Sequence, residues 1–294
     1  MTSANVCPMN LIGKTAILGA GLLGASLARA LKAGKISDSV SVWSRSASTR
    51  VKCRALPEVF DEVCETPGQS VMGADLIVLC APTANIPELA REISAFLKDG
   101  AVVSDVGSVK AGICGECAAA LDGTGAVFVG SHPMAGSEKI GVDYSDEKLF
   151  AGRPCFVTPD KGEMSLAAKL LGKIWEAVGC KVYFISPAEH DAIVARVSHL
   201  PHLLAGTLCV NASKFEEADL KKFVGPGFRD TTRVASGSPE MWDSIIADNR
   251  REILAALKSY IDDLITLFFH IEKGDADAVG THLRAAKKFR DELK

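Results

Sequence analysis

Short apolar runs separated by glycine- and proline-bearing turns dominate the first two thirds of the chain. Lys14–Leu18 predicts a short buried strand that runs straight into Gly19-Ala20-Gly21-Leu22-Leu23-Gly24. Ala25–Ala33 predicts a helix, stopped at Gly34, where a left-handed cap is easiest for glycine. Val40–Trp43, Leu76–Cys80, Ala101–Val106 and Ala126–Gly130 read as further strands. Ile86–Leu97 and Ile113–Leu121 carry helical spacing between them, and Cys155–Thr158, Ser165–Val178 and Lys181–Ile185 follow as strand, helix and strand. Strand and helix alternating every ~20–30 residues argue for a doubly wound, mainly parallel sheet.

After Lys181–Ile185 only helical periodicity remains. Ser186-Pro187-Ala188-Glu189 is a helix start, with a serine cap, a first-turn proline and a glutamate three residues beyond the cap. Ser238-Pro239-Glu240 opens another helix in the same way. Its continuation places Ile253, Leu257, Tyr260, Leu264, Phe268 and Ile271 on one apolar stripe. Lys273-Gly274-Asp275 breaks that helix before a last one. The expected organisation is a lead-in over 1–10, an α/β domain over 11–186 and an all-helical domain over 187–294.

Composition narrows the class. Of 294 residues, 48% are hydrophobic but only 6% aromatic, an aliphatic excess that suits strands buried on both faces. The net charge of −3 gives no electrostatic footprint for nucleic acid or an anionic membrane. The basic pairs Lys221-Lys222 and Lys287-Lys288 are short and flanked by acids. No apolar run approaches the ~20 residues of a membrane span, and Met1–Asn10 lacks the charged and apolar regions of a secretory signal. A cytoplasmic protein with no membrane partner is expected. The nine cysteines fit free thiols in a reducing compartment, and the one CxxC, Cys114 to Cys117, lacks the second pair of a zinc ribbon.

The glycine motif gives the first chemistry. It follows a strand and opens a helix, the context that makes GxGxxG informative. Gly19 permits a tight turn, Gly21 lets backbone approach a pyrophosphate, and Gly24 lets the helix pack close to the sheet. The helix start at Leu22 and Leu23 offers amides and a dipole to phosphates. The Ala81-Pro82 turn after Leu76–Cys80 belongs to the same cofactor site. The second strand leads into Ser44-Arg45-Ser46, with no Asp or Glu between Val40 and Glu58. An arginine flanked by hydroxyls suits a 2′-phosphate, so NADP is expected in preference to NAD in this Rossmann-type domain.

His132 directly follows a predicted strand in Gly130-Ser131-His132-Pro133-Met134-Ala135-Gly136, where ligands of open parallel sheets bind. A histidine there can exchange a proton near neutrality, or it can be structural. The block from His132 to Gly136 with Glu138 resembles the signature of the prephenate/arogenate (cyclohexadienyl) dehydrogenases. So do Asp105 to Lys110, Ser198-His199-Leu200-Pro201-His202, and Gly227 to Arg233 followed by Pro239 to Trp242, in the family's order. The resemblance implies oxidative decarboxylation of prephenate to 4-hydroxyphenylpyruvate, or of arogenate to tyrosine, with hydride transfer to NAD(P)+ in tyrosine biosynthesis. It implies His132 as the catalytic histidine, with Ser108 bonded to it, and Arg233 on a substrate carboxylate. His202, Ser137 and Glu138 would line the pocket, Arg229, Asp230 and Trp242 would form its rim, and the helical domain would make a homodimer.

His199 and His202 stand three apart on a helix without a third ligand at matching spacing, so no metal is expected. His190, His270 and His282 read as surface or packing residues. One alternative is a dehydrogenase of the β-hydroxyacid or phosphogluconate type. That chemistry relies on a lysine early in the interdomain helix, and Ile193 to Leu204 contains none. A catalytically silent dinucleotide-sensing protein would keep the glycine turn but has no need of His132, Ser108 and Arg233 together.

Overall fold

The computed structural model describes residues 11–136, 139–159, 164–216 and 219–293. The chain begins with β1 (Ile12–Leu18), α1 (Leu22–Ala33), β2 (Ser37–Trp43), α2 (Ala47–Arg54), β3 (Glu62–Val63) and α3 (Pro67–Val71). It continues through β4 (Leu76–Leu79), α4 (Ile86–Ile93), β5 (Val102–Asp105), α5 (Ala111–Ala120) and β6 (Val127–Phe128). These strands form a six-stranded sheet in the order β3-β2-β1-β4-β5-β6, parallel throughout.

Burial on both faces explains why the central strands read as unbroken apolar runs. Ile17 of β1 and Leu76 and Val78 of β4 face one hydrophobic core. Ala16, Leu18, Ile77 and Leu79 face the other. Each fully buried Leu, Ile or Val side chain contributes roughly 1.5–3 kcal/mol, so a polar residue on either face of β1 or β4 would be costly.

At Val129 the chain leaves the parallel sheet. The single strand predicted over Ala126–Gly130 is two, β6 and then β7 (Gly130–Pro133). β7 runs antiparallel to β8 (Pro154–Thr158), which runs parallel to β9 (Lys181–Phe184) across α6 (Leu166–Ala177), in a separate sheet ordered β7-β8-β9. The second sheet shares the first core, where Phe150 meets Trp175 edge to face with ring centroids 5.4 Å apart.

One turn differs from expectation. Gly34 has φ −78°, and the left-handed residue is Lys35, at φ +50°. At Gly34 a Cβ would crowd Ile36 Cδ1 at 2.9 Å and the Ala30 carbonyl oxygen at 3.2 Å.

Helices complete the chain: α7 (Pro187–Val194), α8 (Leu200–Ser213), α9 (Pro226–Thr232), α10 (Pro239–Asp248), α11 (Arg250–Glu272) and α12 (Ala276–Glu292). A π-helical turn, Ala195–His199, joins α7 to α8. The expected capping box is present: Ser186 Oγ accepts from Glu189 N at 3.2 Å and Glu189 Oε2 accepts from Ser186 N at 2.9 Å. The chain forms two units, one reaching to Ile193 and including Gly237–Asp248, the other made of Val194–Ser236 and the chain from Asn249. In the first, Ile245 and Trp242 of α10 pack on the second core.

Contrary to the sequence expectation, the continuous helix from Pro187 to Ser213, 27 residues long, is apolar enough to cross a membrane by composition. It carries His190, Asp191 and His199, all buried and hydrogen-bonded to protein. Such polar groups fit a helix of a protein core better than one facing lipid.

Candidate active site

The strand order reverses between β1 and β4, and the loops leaving these two strands lie side by side, since Cys80 N donates to Leu18 O at 2.7 Å. Ligands of open parallel sheets bind at such a point. Gly19 has φ +115°, and a Cβ there would sit 2.2 Å from the Cys80 carbonyl oxygen. At Gly24 a Cβ would meet Gly19 O at 2.0 Å. Gly21 is different: a Cβ would meet nothing within 4 Å, so the loop is open on that side. α1 starts at Leu22 with no side-chain cap on its first amides, the kind of helix start that can bind an anion. Ala81 is partly buried and Pro82 exposed beside this turn. The residues fit a dinucleotide pyrophosphate.

At the end of β2, Ser44 is half-buried and Arg45 and Ser46 are exposed. Ser46 caps α2 by accepting from Thr49 N at 3.3 Å. Arg50, which the sequence reading passed over, shapes this loop. It donates to Ser44 O at 2.8 Å and Arg45 O at 3.2 Å and pairs with Glu65 at 3.0 Å.

A buried polar network fixes β7 to the end of β5. Ser131 Oγ donates to Asp105 O at 2.6 Å, and Ser131 N to Asp105 Oδ1 at 3.2 Å. Asp105 Oδ2 accepts from Gly107 N at 2.8 Å and pairs with Lys110 Nζ, both side chains being fully buried. Ser108 is half-buried in the turn between them.

His132, half-buried on β7, is held by this frame. Its Nδ1 lies 2.8 Å from Nε2 of His190 on α7. His190 is fully buried, and its own Nδ1 lies 2.8 Å from Asp191 Oδ1. Asp191 also accepts from Lys110 N at 2.8 Å and Ala111 N at 2.9 Å. His190 is therefore no surface or simple packing residue. Burial pushes its pKa below the ordinary histidine value, Lys110 adding to that and Asp191 opposing it. The sequence holds one local signal, an adjacent His-Asp pair in the first turns of a helix with a strong cap.

In the second unit, Arg229 and Arg233 line an open cleft of about 550 Å³ with Thr232, Ser236, Gly206 and Cys209. Asp230 is exposed on α9. His202 on α8 is half-buried, and burial lowers its pKa. His199 is buried, its Nδ1 3.2 Å from Asn249 Nδ2. Trp242 belongs to the first unit, and Ser137 and Glu138 lie outside the described residues. The CxxC thiols are on α5, with Cys117 buried and Cys114 pushed up to about 11 by burial. Such protonated thiols are poor nucleophiles.

Comparison with known proteins is consistent across the chain. The family model described as prephenate dehydrogenase, nucleotide-binding domain, matches residues 27–184, and that described as prephenate dehydrogenase, dimerization domain, matches 186–285. The chain is 33% identical to cyclohexadienyl dehydrogenase of Zymomonas mobilis over 97% of its own length and 98% of that protein's. It is similar to the crystal structure of prephenate dehydrogenase from Aquifex aeolicus in complex with hydroxyphenyl propionate and NAD+. There the TM-score is 0.88 at 30% identity, covering 96% of this chain and 98% of that one. For Synechocystis arogenate dehydrogenase the TM-score is 0.84 at 30% identity, with 96% and 100% covered.

Proposed function

The chain belongs to the prephenate dehydrogenase family, and from that premise we propose how its residues divide the work. It is an NAD(P)-dependent dehydrogenase of tyrosine biosynthesis, which oxidatively decarboxylates prephenate to 4-hydroxyphenylpyruvate or arogenate to tyrosine. The nicotinamide dinucleotide, when bound, supplies the hydride acceptor. The hydrogen on the ring carbon bearing the hydroxyl leaves with its electron pair. The bond from the ring to its carboxylate breaks, and its electrons enter the ring as CO2 departs. Aromaticity makes the step strongly downhill, so the protein must supply orientation, a partner for the hydroxyl proton and a grip on an anion.

His132 takes up the hydroxyl proton as charge develops on oxygen and returns it to the phenol. The observation that carries this role is its ring, held on β7 by a fully buried His190. Ser108 is assigned to the same ring. Arg233 is assigned to a substrate carboxylate, a task suited to a planar, bidentate guanidinium. His202, Ser137 and Glu138 are assigned to the pocket lining, and Arg229, Asp230 and Trp242 to its rim. The turn from Gly19 through Leu22 and Leu23 to Gly24, with Ala81 and Pro82, holds the pyrophosphate.

Arg45, with Ser44 and Ser46, selects NADP over NAD. Its exposure beside a helix start without first-turn acids supports this reading. A cytoplasmic homodimer is the proposed working form. The apolar stripe of α11 supports it, with Phe268 59% and Ile271 62% exposed in the single chain, in a segment matching a dimerization domain. The test is a paired assay of prephenate and arogenate with each cofactor, repeated on His132→Asn. Turnover of either substrate with loss of kcat in the variant is expected; an unimpaired variant removes His132 from the mechanism.

A further inference from the structure

We infer that His190, backed by Asp191, is a positioning residue that locks His132 as its Nδ1–H tautomer, so that substrate protons are exchanged at His132 Nε2. This rests on the assignment of His132 as the catalytic histidine. The argument runs outward from the carboxylate. Asp191 accepts two backbone amides, at Oδ1 from Lys110 and at Oδ2 from Ala111, so both its oxygens already act as acceptors. An ionised carboxylate only accepts, so the proton in the 2.8 Å contact with His190 must sit on His190 Nδ1. His190 is fully buried and its pKa is depressed, chiefly by that burial, so it is neutral and its Nε2 is an acceptor. The 2.8 Å contact to His132 then requires the proton on His132 Nδ1. Nδ1 being engaged, proton exchange with substrate falls to Nε2.

The groups around His190 support the same polarity. Asp191 lies beside it on α7, His132 faces it from β7, Asp105 acts on it from the end of β5, and Lys110 from the segment joining β5 to α5. Phe156 of β8 meets its ring edge to face, with ring centroids 5.3 Å apart. Asp248 of α10 senses Glu116 and Asp191, and its pKa is raised mainly by burial and then by these two. When His132 accepts the substrate proton, the resulting imidazolium keeps its Nδ1–H on His190, with the Asp191 charge behind it. The arrangement uses a second imidazole to extend the orienting reach of a carboxylate.

The first test needs no turnover. ¹⁵N NMR of the intact enzyme above the histidine titration range should show His132 with a protonated Nδ1 and an unprotonated Nε2; the reverse pattern overturns the inference. The second uses His190→Phe, which removes the acceptor, and His190→Gln, whose side-chain carbonyl can accept from His132 in place of Nε2. His190→Phe should lower kcat about 10- to 100-fold while KM and dinucleotide affinity change less than about threefold. Its acidic limb of kcat/KM should move to lower pH, because the imidazolium loses its acceptor. His190→Gln should recover most of that loss. If both variants lose kcat without moving the limb, His190 is merely structural and the inference fails. An active His132→Asn with the expected tautomer in wild type would instead remove the catalytic reading beneath it.

Discussion

At the scale of single residues, two kinds of position matter: those that touch the reaction and those that hold them still. His132→Asn should lower kcat by ~10²–10⁴ with dinucleotide binding intact, measured by steady-state kinetics and cofactor titration. Lys110→Met should destabilise the fold by about 3–5 kcal/mol in urea unfolding, because it strands the fully buried Asp105 carboxylate. Arg45→Ala should lower kcat/KM for NADP+ at least ~10-fold and leave NAD+ nearly unchanged, since it removes a charge-assisted contact only the 2′-phosphate can make. A wild-type preference for NAD+ would sink that assignment. The depressed pKa of His190 also sets a sign for stability. The unfolded chain binds a proton there more readily than the native one, so stability is full above the ordinary histidine pKa and declines as pH falls below it. His190→Phe should flatten that decline. Gly19 and Gly24 are legible in the sequence because their demands are local, a turn and a close approach, whereas His132, expected just past a strand, lies within β7 of the second sheet. His190 is not legible, because its partner lies 58 positions away and only the fold brings them together.

At the scale of elements, periodicity located the strands and helices whose burial is regular. β1, β4, β5 and α6 lie where their apolar runs placed them. It missed β3 and α3, which are too short to repeat, and α2, which buries only Cys53, and it merged β6 with β7. The merge has a physical cause: the apolar run over Ala126–Gly130 is continuous, while the two halves bond to different sheets. The capped helix starts at Ser186 and Ser238 lie where the sequence placed them, because a cap is a local contract between neighbours. Ser186→Ala should cost about 1 kcal/mol, read from urea unfolding. Glu189 is held below the ordinary carboxylate range by the Ser186 backbone amide and then its hydroxyl. That contribution is therefore present above the ordinary glutamate pKa and fades as pH falls through the lowered value. An acid titration of Ser186→Ala should keep the larger part of this component, which the retained backbone amide supplies, and lose only the part the hydroxyl supplies.

At the scale of the whole molecule, the sequence conveyed a sheet-containing part and a helical part, and family membership follows from matches spanning nearly all of the chain. It could not convey that α10 packs with the first unit, since its apolar residues look the same whichever core receives them. Nor could it say whether the α11 stripe is covered within one chain. In the structure Ile253 is buried while Leu264, Phe268 and Ile271 are exposed, and Phe268→Glu should shift the proposed dimer to monomer by light scattering, leaving the fold of each chain intact. The π-helical turn at Ala195–His199, just ahead of Pro201, carries a last consequence. Such a turn holds one residue more than a regular helix would, and each residue is worth about 100° about the axis. Shortening the turn by one would keep every side chain of α8 and yet swing them all a quarter-circle or so out of phase with α7. An insertion or deletion here acts as a rotation.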